Sequence, residues 1–414
     1  SEYERRPSPL QCRRTALLGD QRQREHQDDD GTQKHGGHLV QVMGLVHLQR
    51  CGHRPFALVG GGTGMIGDPS GRSAERNLIT LEQVAENAAS IHRQLEHFLD
   101  FSGPSGAKMV NNADWLMPMS LVAFLRDVGK HFGINYMLAK DSVKSRLDGG
   151  ISYTEFSYML LQSYDYLELY RRHGVTLQMG GSDQWGNITA GAELVRRSDG
   201  GDAYGITLPL ITTADGKKFG KTAEGTSVWL DPARTSPYKF YQFWINLDDR
   251  SVKSYLRIFT LQEREAIEAL DQAVDERPES REAQGALALE VTARVHGEGA
   301  AQSAREASRV VFDKRADPTE LSPGTFEMLR DELPFTTVAP ADSGVAILDL
   351  LVDLGLVKSR GDARRQVQQG AVTINGRRIA ADDASVPVSE SLHGRFFLVR
   401  KGGREVGLAE VASA

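Results

Sequence analysis

The sequence predicts a doubly wound, parallel α/β sheet domain, followed by a helical domain and a small C-terminal α/β module. Between residues 35 and 234, short apolar runs alternate with helical patterns, and each apolar run ends in a glycine-rich or polar loop. Strands that alternate with helices favour a parallel, Rossmann-like sheet with helices on both faces. Residues 235–330 contain few strand-like runs and carry Ala, Glu and Arg at helical spacing, as is typical of a helical domain.

The composition is that of an ordinary globular protein. Apolar residues make up 40% of the 414 residues, and the formal net charge of −6 does not by itself indicate a nucleic-acid-binding protein. Cys12 and Cys51 are too few for a disulfide framework and fit a reducing compartment. No apolar run approaches the roughly 20 residues that a membrane-spanning helix needs. We therefore expect a soluble, cytoplasmic protein without a membrane segment.

Residues 1–34 form an atypical N-terminal segment. Residues 21–30 are almost wholly polar, and nothing before His35 has the periodicity of a strand or a helix, so we expect a poorly packed terminus. From Leu39 to about residue 50 the apolar residues keep to one helical stripe. The remaining sheet-domain elements are predicted as strands at 55–59, 175–179 and 206–212 and as helices at about 81–100, 119–130, 153–171 and 188–198.

A linker and a small module are predicted after the helical domain. Residues 331–344 contain two prolines and little periodicity, which favours a linker. From residue 345 to 414 the pattern predicts helices at 346–353 and 359–369, and then a strand that carries an Asn-Gly turn.

Two glycine-rich loops imitate nucleotide-binding motifs. G62-T-G-M-I-G67 follows a strand and matches the dinucleotide pattern, so a nicotinamide-dependent oxidoreductase is a remote alternative. Asp68, Pro69 and Gly71 follow at once, however, so we expect a tight turn that exposes Asp68 and no helix to hold a pyrophosphate.

The second glycine-rich loop, G216-K-K-F-G-K-T222, is one residue short of a P-loop. Its lysines are either merely solvated or stabilise negative charge on a departing pyrophosphate.

A polar helix face and a histidine pair are candidate binding groups. Tyr158, Gln162 and Asp165 stand at i, i+4 and i+7, so they form either the wall of a polar pocket or a half-exposed helix face.

The histidine pair, His35 and His38, flanks two glycines before a helix. The helix that follows would place Cys51 and His53 about 20 Å away, too far to complete a zinc site. A helix N-terminus suits a phosphate better, and no metal site is predicted.

Together these motifs resemble the bacterial tyrosyl-tRNA synthetases, which are class I aminoacyl-tRNA synthetases. H35-G-G-H38 and K218-F-G-K-T222 stand where that family has its two ATP-binding signatures. The stretches LVGGGTGMIGDPSGRSAER, TEFSYMLLQSYDYLELY and LQMGGSDQWGNITAG carry the rest of the similarity, which extends from about residue 35 to the end. The module from about residue 345 resembles a small RNA-binding domain shared with a ribosomal small-subunit protein.

The resemblance implies roles for individual residues. Asp68, Tyr158 and Gln162 would receive the α-ammonium group of tyrosine, and Asp165 would accept its phenol hydroxyl. Gly181, Asp183 and Gln184 would contact the ribose and the tyrosine of the adenylate. The ATP phosphates would be bound by His35 and His38, with Gly37 leaving room for adenine, and the pyrophosphate by Lys218, Lys221 and Thr222, assisted by Arg72, Arg76 and Asn112.

The resemblance also implies the activity and the partners. The expected enzyme is an ATP-dependent tyrosine–tRNA ligase that uses L-tyrosine, ATP with Mg²⁺ and tRNA(Tyr), has no bound organic cofactor, and forms a homodimer through its catalytic domain. The N-terminal segment departs from the family, because Arg24, His26 and Asp28 stand where a tyrosine, a glycine and an aspartate line the amino-acid pocket. A catalytically impaired RNA-binding protein on a synthetase scaffold is therefore the alternative.

A basic patch in the last module is the predicted RNA contact. Residues 356–380 contain six basic side chains against one acidic side chain, Asp362, in a chain that is net acidic. Such a cluster is typical of a phosphate-backbone contact, although charge runs are also often only solvated. The six predicted RNA-binding residues are Lys358, Arg360, Arg364, Arg365, Arg377 and Arg378.

Overall fold

The computed structural model describes residues 14–18, 38–66, 80–140, 143–144, 150–209, 211, 228–339, 344–381, 383–403 and 405–412. The chain divides into two compact units, Ser1–Leu230 with Lys253–Gln262, and Asp231–Val252 with Glu263–Ala414. No helix among the described residues is both long and apolar enough to cross a membrane.

A five-stranded parallel sheet is the centre of the first unit. Its strands lie in the order β3-β2-β1-β4-β5, and all four pairings are parallel. The chain changes direction across the sheet between β1 and β4, so the sheet is doubly wound and its ligand-binding edge is the edge where the strands end. The predicted fold class is therefore confirmed. The strands are β1 (Arg14–Leu18), β2 (Arg54–Val59), β3 (Lys108–Asn111), β4 (Leu177–Gly181) and β5 (Tyr204–Leu208).

The described part of the first unit also contains eight helices with defined bounds. The long helix Tyr153–His173 (α7) buries Tyr166, Leu167 and Leu169 in a core that also contains Phe56 and Leu58 of β2, which fixes this helix against the sheet. The helices are α1 (His38–Arg50), α2 (Gly61–Ile66), α3 (Leu81–Leu95), α4 (Ala113–Leu116), α5 (Leu121–Asp127), α6 (Ile134–Leu138), α7 (Tyr153–His173) and α8 (Trp185–Asp199).

Strand β1 corrects the interpretation of the N-terminal segment. Arg14–Leu18 pairs with both β2 and β4 at the centre of the sheet, so the prediction that no strand precedes His35 is wrong. A central parallel strand is usually recognised by a continuous apolar run. Here the run is only Ala16, Leu17 and Leu18, and mostly polar sequence surrounds it.

Helix α2 corrects the interpretation of the first glycine-rich loop. A helix begins at Gly61, directly after β2, where a tight turn without a helix was predicted. The amide of Gly61 donates to Asn111 Oδ1 at 3.0 Å and the amide of Gly62 donates to Asn112 Oδ1 at 2.8 Å. These first amides would otherwise remain open at a helix N-terminus. Because side chains already occupy them, they do not form the pyrophosphate cradle that a nicotinamide cofactor requires.

The second unit combines helices with a C-terminal sheet. Its helices up to residue 330 are α9 (Pro237–Ile245), α10 (Asp249–Phe259, whose last residues belong to the first unit), α11 (Arg264–Glu276), α12 (Glu282–His296), α13 (Glu298–Phe312) and α14 (Pro323–Arg330). The C-terminal elements are β6 (Phe335–Val338), β7 (Val345–Ala346), α15 (Ile347–Asp353), α16 (Arg360–Gln368), β8 (Val372–Ile374), β9 (Arg377–Arg378), β10 (Ser385–Val386), β11 (Phe396–Lys401) and β12 (Glu405–Val411). The strand order of the main sheet is β6-β12-β11-β8-β9.

The C-terminal sheet shares a core with the preceding helices. Val310 of α13 and Phe326 of α14 pack in one buried cluster with Phe396 and Leu408 of the sheet. Strand β6 lies inside residues 331–344, the stretch predicted as a linker, and pairs with β12, so the linker prediction is wrong for Phe335–Val338. The predicted Asn-Gly turn joins β8 to β9, with φ of 51° at Asn375 and 81° at Gly376.

Candidate functional site

The predicted polar face of α7 is buried. Tyr158, Gln162 and Asp165 expose only 5%, 4% and 1% of their surface, so the face is not a half-exposed one. An ionised carboxylate in such a place requires hydrogen-bond donors, because water no longer solvates it. Asp165 has two such donors, and both come from the polypeptide just after β3.

Asn112 and Trp115 hold the two oxygens of the Asp165 carboxyl group. Asn112 Nδ2 donates to Oδ2 at 3.0 Å, and the indole Nε1 of Trp115 donates to Oδ1 at 2.6 Å. Asn112 also bonds to helix α2, which follows β2, because its Nδ2 donates to Thr63 Oγ1 at 3.1 Å and its Oδ1 accepts from the amide of Gly62. Asp165 therefore connects α7 to the carboxyl ends of β2 and β3.

Burial raises the pKa of the Asp165 carboxyl group to about 7, because a charged group loses hydration in the interior. The bonds from Asn112 and Trp115 act in the opposite direction, since they stabilise the ionised form, and the negative charge of Glu168 adds a smaller increase. A carboxyl group whose pKa lies near neutrality is partly ionised at physiological pH, and its oxygens can accept a hydrogen bond from a ligand hydroxyl. A perturbed pKa of this kind is typical of a binding or catalytic site.

A second polar group follows β4. Gly181 ends that strand, and Asp183 and Gln184 lie in a single 3₁₀ turn before α8 begins at Trp185. Gln184 Nε2 donates to Asp183 Oδ2 at 2.7 Å, and Asn187 Nδ2 donates to Gln184 Oε1 at 3.1 Å. Because all five strands are parallel, this turn lies at the same edge of the sheet as Asn112.

The described residues contain only part of the predicted site. His38 begins α1, but its side chain is outside the described residues. His35, Gly37, Asp68, Arg72, Arg76, Lys217, Lys218, Lys221 and Thr222 also lie outside them, as do Arg24, His26 and Asp28. Within the described parts of the chain, no group of three or more His, Cys, Asp or Glu side chains is arranged to hold a metal ion.

Trp115 is a site residue that sequence reasoning missed. It is 2% exposed and gives the shorter of the two hydrogen bonds to Asp165, yet it stands 50 residues earlier in the chain. The available signal was its position just after a strand end, three residues beyond Asn112. A buried indole N–H usually finds an acceptor, which makes such a tryptophan a candidate partner for a buried carboxylate.

The six basic residues predicted to contact RNA are all exposed, at the start of α16 and in and around β9. Arg360, Arg365 and Arg377 form ion pairs with Asp349, Asp362 and Asp383, respectively. Lys358, Arg364 and Arg378 have no ion-pair partner among the described residues, but Arg378 Nε donates to the carbonyl of Gly370 at 2.9 Å. Within the described part of the chain, an external anion can therefore bind Lys358 or Arg364 without displacing a carboxylate.

Comparison with known proteins identifies the family. The family model of tRNA synthetases class I (W and Y) matches residues 31–313, and that of the tyrosine–tRNA ligase SYY-like C-terminal domain matches residues 325–408. A tyrosine–tRNA ligase of Anaeromyxobacter dehalogenans is 52% identical over 380 residues, which are 91% of this chain and 90% of the relative. That of Geobacillus stearothermophilus is 49% identical over the same shares.

Solved structures agree with this assignment. A mitochondrial tyrosyl-tRNA synthetase of Coccidioides posadasii, truncated at its C-terminus, is 30% identical with a TM-score of 0.59 and covers 71% of this chain and 83% of its own. The corresponding Aspergillus nidulans protein is 28% identical with a TM-score of 0.61, covering 73% of this chain and 86% of its own. The chain therefore belongs to the class I tRNA synthetases and, among them, to the bacterial tyrosyl-tRNA synthetase family.

Proposed function

We propose that the chain is an ATP-dependent tyrosine–tRNA ligase that forms tyrosyl-adenylate and pyrophosphate and then transfers tyrosine to tRNA(Tyr). Its family membership over about nine-tenths of the chain supports this activity. The observation that carries the substrate assignment is the buried carboxyl group of Asp165, with hydrogen-bond donors on both oxygens. A phenol hydroxyl satisfies the remaining acceptor capacity of this group, whereas a phenylalanine side chain would leave it without that partner.

The tyrosine ammonium group is proposed to lie between Tyr158, Gln162 and Asp68. Gln162 and Tyr158 lie on the same buried face of α7 as Asp165, one turn and two turns earlier in the helix, respectively. A carboxylate, a phenol oxygen and an amide oxygen are suitable acceptors for the three hydrogens of an ammonium group. The two ends of the substrate would therefore be recognised along a single helix.

ATP is proposed to bind along the strand ends, as MgATP. Gly181, Asp183 and Gln184 would contact the ribose and the tyrosine of the adenylate. His35 and His38 would bind the phosphates, and Gly37 would leave room for adenine. The loop residues Lys218, Lys221 and Thr222, with Arg72 and Arg76, would hold the pyrophosphate. Mg²⁺ would enter with the nucleotide, because this ion is commonly bound through substrate phosphates together with few protein groups.

The chemistry requires position and charge rather than a protein nucleophile. The carboxylate oxygen of tyrosine attacks the α-phosphorus of ATP in line, and the bond from that phosphorus to the pyrophosphate oxygen breaks. Imidazole and ammonium donors stabilise the negative charge that develops on the phosphate oxygens. Holding the two substrates in this geometry supplies much of the rate enhancement.

The C-terminal module is proposed to bind the tRNA backbone. Its exposed basic residues on α16 and near β9 would neutralise phosphates, which supplies sequence-independent affinity. Lys358 and Arg364 are the strongest candidates, because among the described residues neither forms an ion pair, and neither side chain donates to a backbone carbonyl as that of Arg378 does. The cytoplasm is the proposed compartment, because a chain with only two cysteines and the substrates ATP, tyrosine and tRNA fit it.

A homodimer is proposed to form through helices α4 to α7. Met117, Leu121, Val122, Ile134 and Tyr153 are between 51% and 75% exposed in this part of the chain. The described side chains of α5 include no buried residue at all, although the helix carries Leu121, Val122 and Leu125. Exposed apolar groups at this density are typical of an interface between subunits.

Transfer of labelled tyrosine to tRNA(Tyr) by the full-length chain tests the proposed activity. We expect ATP-dependent charging, and a loss of at least about tenfold in the rate of adenylate formation for Lys221→Ala, because one cation would leave the developing pyrophosphate. Tyrosine binding should be nearly unchanged in that variant. If the chain binds tRNA but charges none, the impaired RNA-binding alternative is correct instead.

A further inference from the structure

Trp115 is held from two sides. Its indole N–H donates to Asp165 at 2.6 Å, and on its face lies the guanidinium group of Arg172, 5.5 Å from the ring centroid. A cation within about 6 Å of a tryptophan ring is attracted by the negative face of the ring. The orientation of the indole, and with it the direction of its N–H, therefore depends on Arg172 as well as on Asp165.

Arg172 is itself fixed by a buried carboxylate. Its Nε donates to Glu168 Oε2 at 2.6 Å, and the Glu168 side chain is only 9% exposed. Glu168 stands one helical turn after Asp165 on α7, so two carboxylates share one face of the helix. The negative charge of Glu168 raises the pKa of Asp165, and a cation bound to Glu168 opposes that effect.

The neighbouring arginine has a different task. Arg171 forms a two-bonded pair with Asp199, at 2.8 and 2.6 Å, and approaches Glu168 only at 3.7 Å. The two arginines are almost equally exposed, at 43% and 45% of their side-chain surface. Arg172 alone of this pair lies over Trp115, so Arg171 is a matched control for it.

We propose that Arg172 is a positioning residue for tyrosine selectivity. It fixes the orientation of the Trp115 indole and compensates the negative charge of Glu168. The Asp165 carboxyl group is thereby held in the position and charge state in which it accepts a hydrogen bond from the substrate hydroxyl. This rests on the proposed role of Asp165. Arg172 itself is proposed to touch no substrate atom. Sequence spacing did not single it out, because its partners are Glu168 on the same helix and Trp115 more than 50 residues earlier.

The effect should appear in selectivity rather than in a general loss of activity. Only tyrosine has a hydroxyl group that contacts Asp165, so a displaced carboxyl group weakens tyrosine binding and leaves phenylalanine binding unchanged. Arg172 also lines an open cavity of about 820 Å³, together with Trp115, Asn111, Asp114 and His173. A small cation can therefore reach the place of the guanidinium group if the side chain is truncated.

The experiment measures L-tyrosine and L-phenylalanine binding to the full-length chain by equilibrium dialysis, and ATP–pyrophosphate exchange with both amino acids. The variants are Arg172→Met, which keeps the apolar bulk, the control Arg171→Met, and Arg172→Ala with and without ethylguanidinium. We expect Arg172→Met to lose about three- to tenfold in the tyrosine-to-phenylalanine ratio of kcat/KM, through KM for tyrosine. Arg171→Met should keep the ratio of the wild type, and ethylguanidinium should restore part of it in Arg172→Ala but not change the wild type.

The outcomes separate the two proposals. A wild type that binds phenylalanine as well as tyrosine overturns the role of Asp165 and, with it, that of Arg172. If the wild type selects tyrosine and Arg172→Met keeps the same ratio, or loses it no more than Arg171→Met does, then only the role of Arg172 is overturned. Equal losses for both amino acids in Arg172→Met would show that the residue merely stabilises the fold.

Discussion

Asp165 stands at i+7 from Tyr158, and this spacing was enough to predict the polar face on which both residues lie. The sequence could not show which groups would compensate the buried charge, because Asn112 and Trp115 are about 50 residues away and meet it only through the sheet. Among the predicted site residues of the sheet domain, Tyr158, Gln162, Asp165 and Gln184 are buried as a pocket wall requires, whereas Asp183 is exposed. Local spacing thus predicts which residues share a face, whereas long-range contacts determine their partners.

The pKa of Asp165 predicts how stability depends on pH. Because burial raises this pKa from 3.8 to about 7, the folded, ligand-free protein retains a proton that the unfolded chain releases, and stability is lost as pH rises between these values. Asp165→Asn cannot ionise. We expect the free energy of unfolding of the variant, relative to that of the wild type, to increase by about 2–3 kcal/mol from pH 5 to pH 8. Urea unfolding of both proteins at the two pH values measures this, and a constant difference would contradict it.

At the scale of elements, β1 shows the limit of periodicity. Central strands of a parallel sheet are short and lack alternation, so Arg14–Leu18 could not be distinguished from the polar sequence around it. The same limit applies to β6, which lies next to prolines in a stretch that resembles a linker. Amphipathic helices and the Asn-Gly turn were predictable, because their signals are local.

The exposed apolar side chains of helix α5 predict that it lies in the dimer interface. Val122 is 75% exposed, and a glutamate in its place would bury a charge in any apolar interface. We expect Val122→Glu to sediment as a monomer at micromolar concentration and the wild type as a dimer. Phe312→Glu is the control, because Phe312 is also exposed, at 70%, but belongs to the second unit. A Val122→Glu variant that sediments like the wild type would remove α5 from the interface.

At the scale of the whole molecule, a net charge of −6 hides a basic cluster. Replacement of Arg364 and Arg365 by alanine should make the dependence of tRNA affinity on salt shallower, by about one to two units in the logarithmic slope, because fewer counterions are released. The matched control replaces Arg196 and Arg197, two exposed arginines on α8. A slope that falls equally in the control would show a general charge effect instead of a local contact.

The central claim is that a buried carboxyl group at the strand ends selects tyrosine for activation by ATP. ATP–pyrophosphate exchange by the purified full-length chain, with each standard amino acid in turn, tests it most directly. We predict exchange with tyrosine and far slower exchange with phenylalanine, and a much smaller difference between the two for Asp165→Ala. Exchange that does not depend on tyrosine, or that proceeds equally well with phenylalanine in the wild type, would contradict the claim.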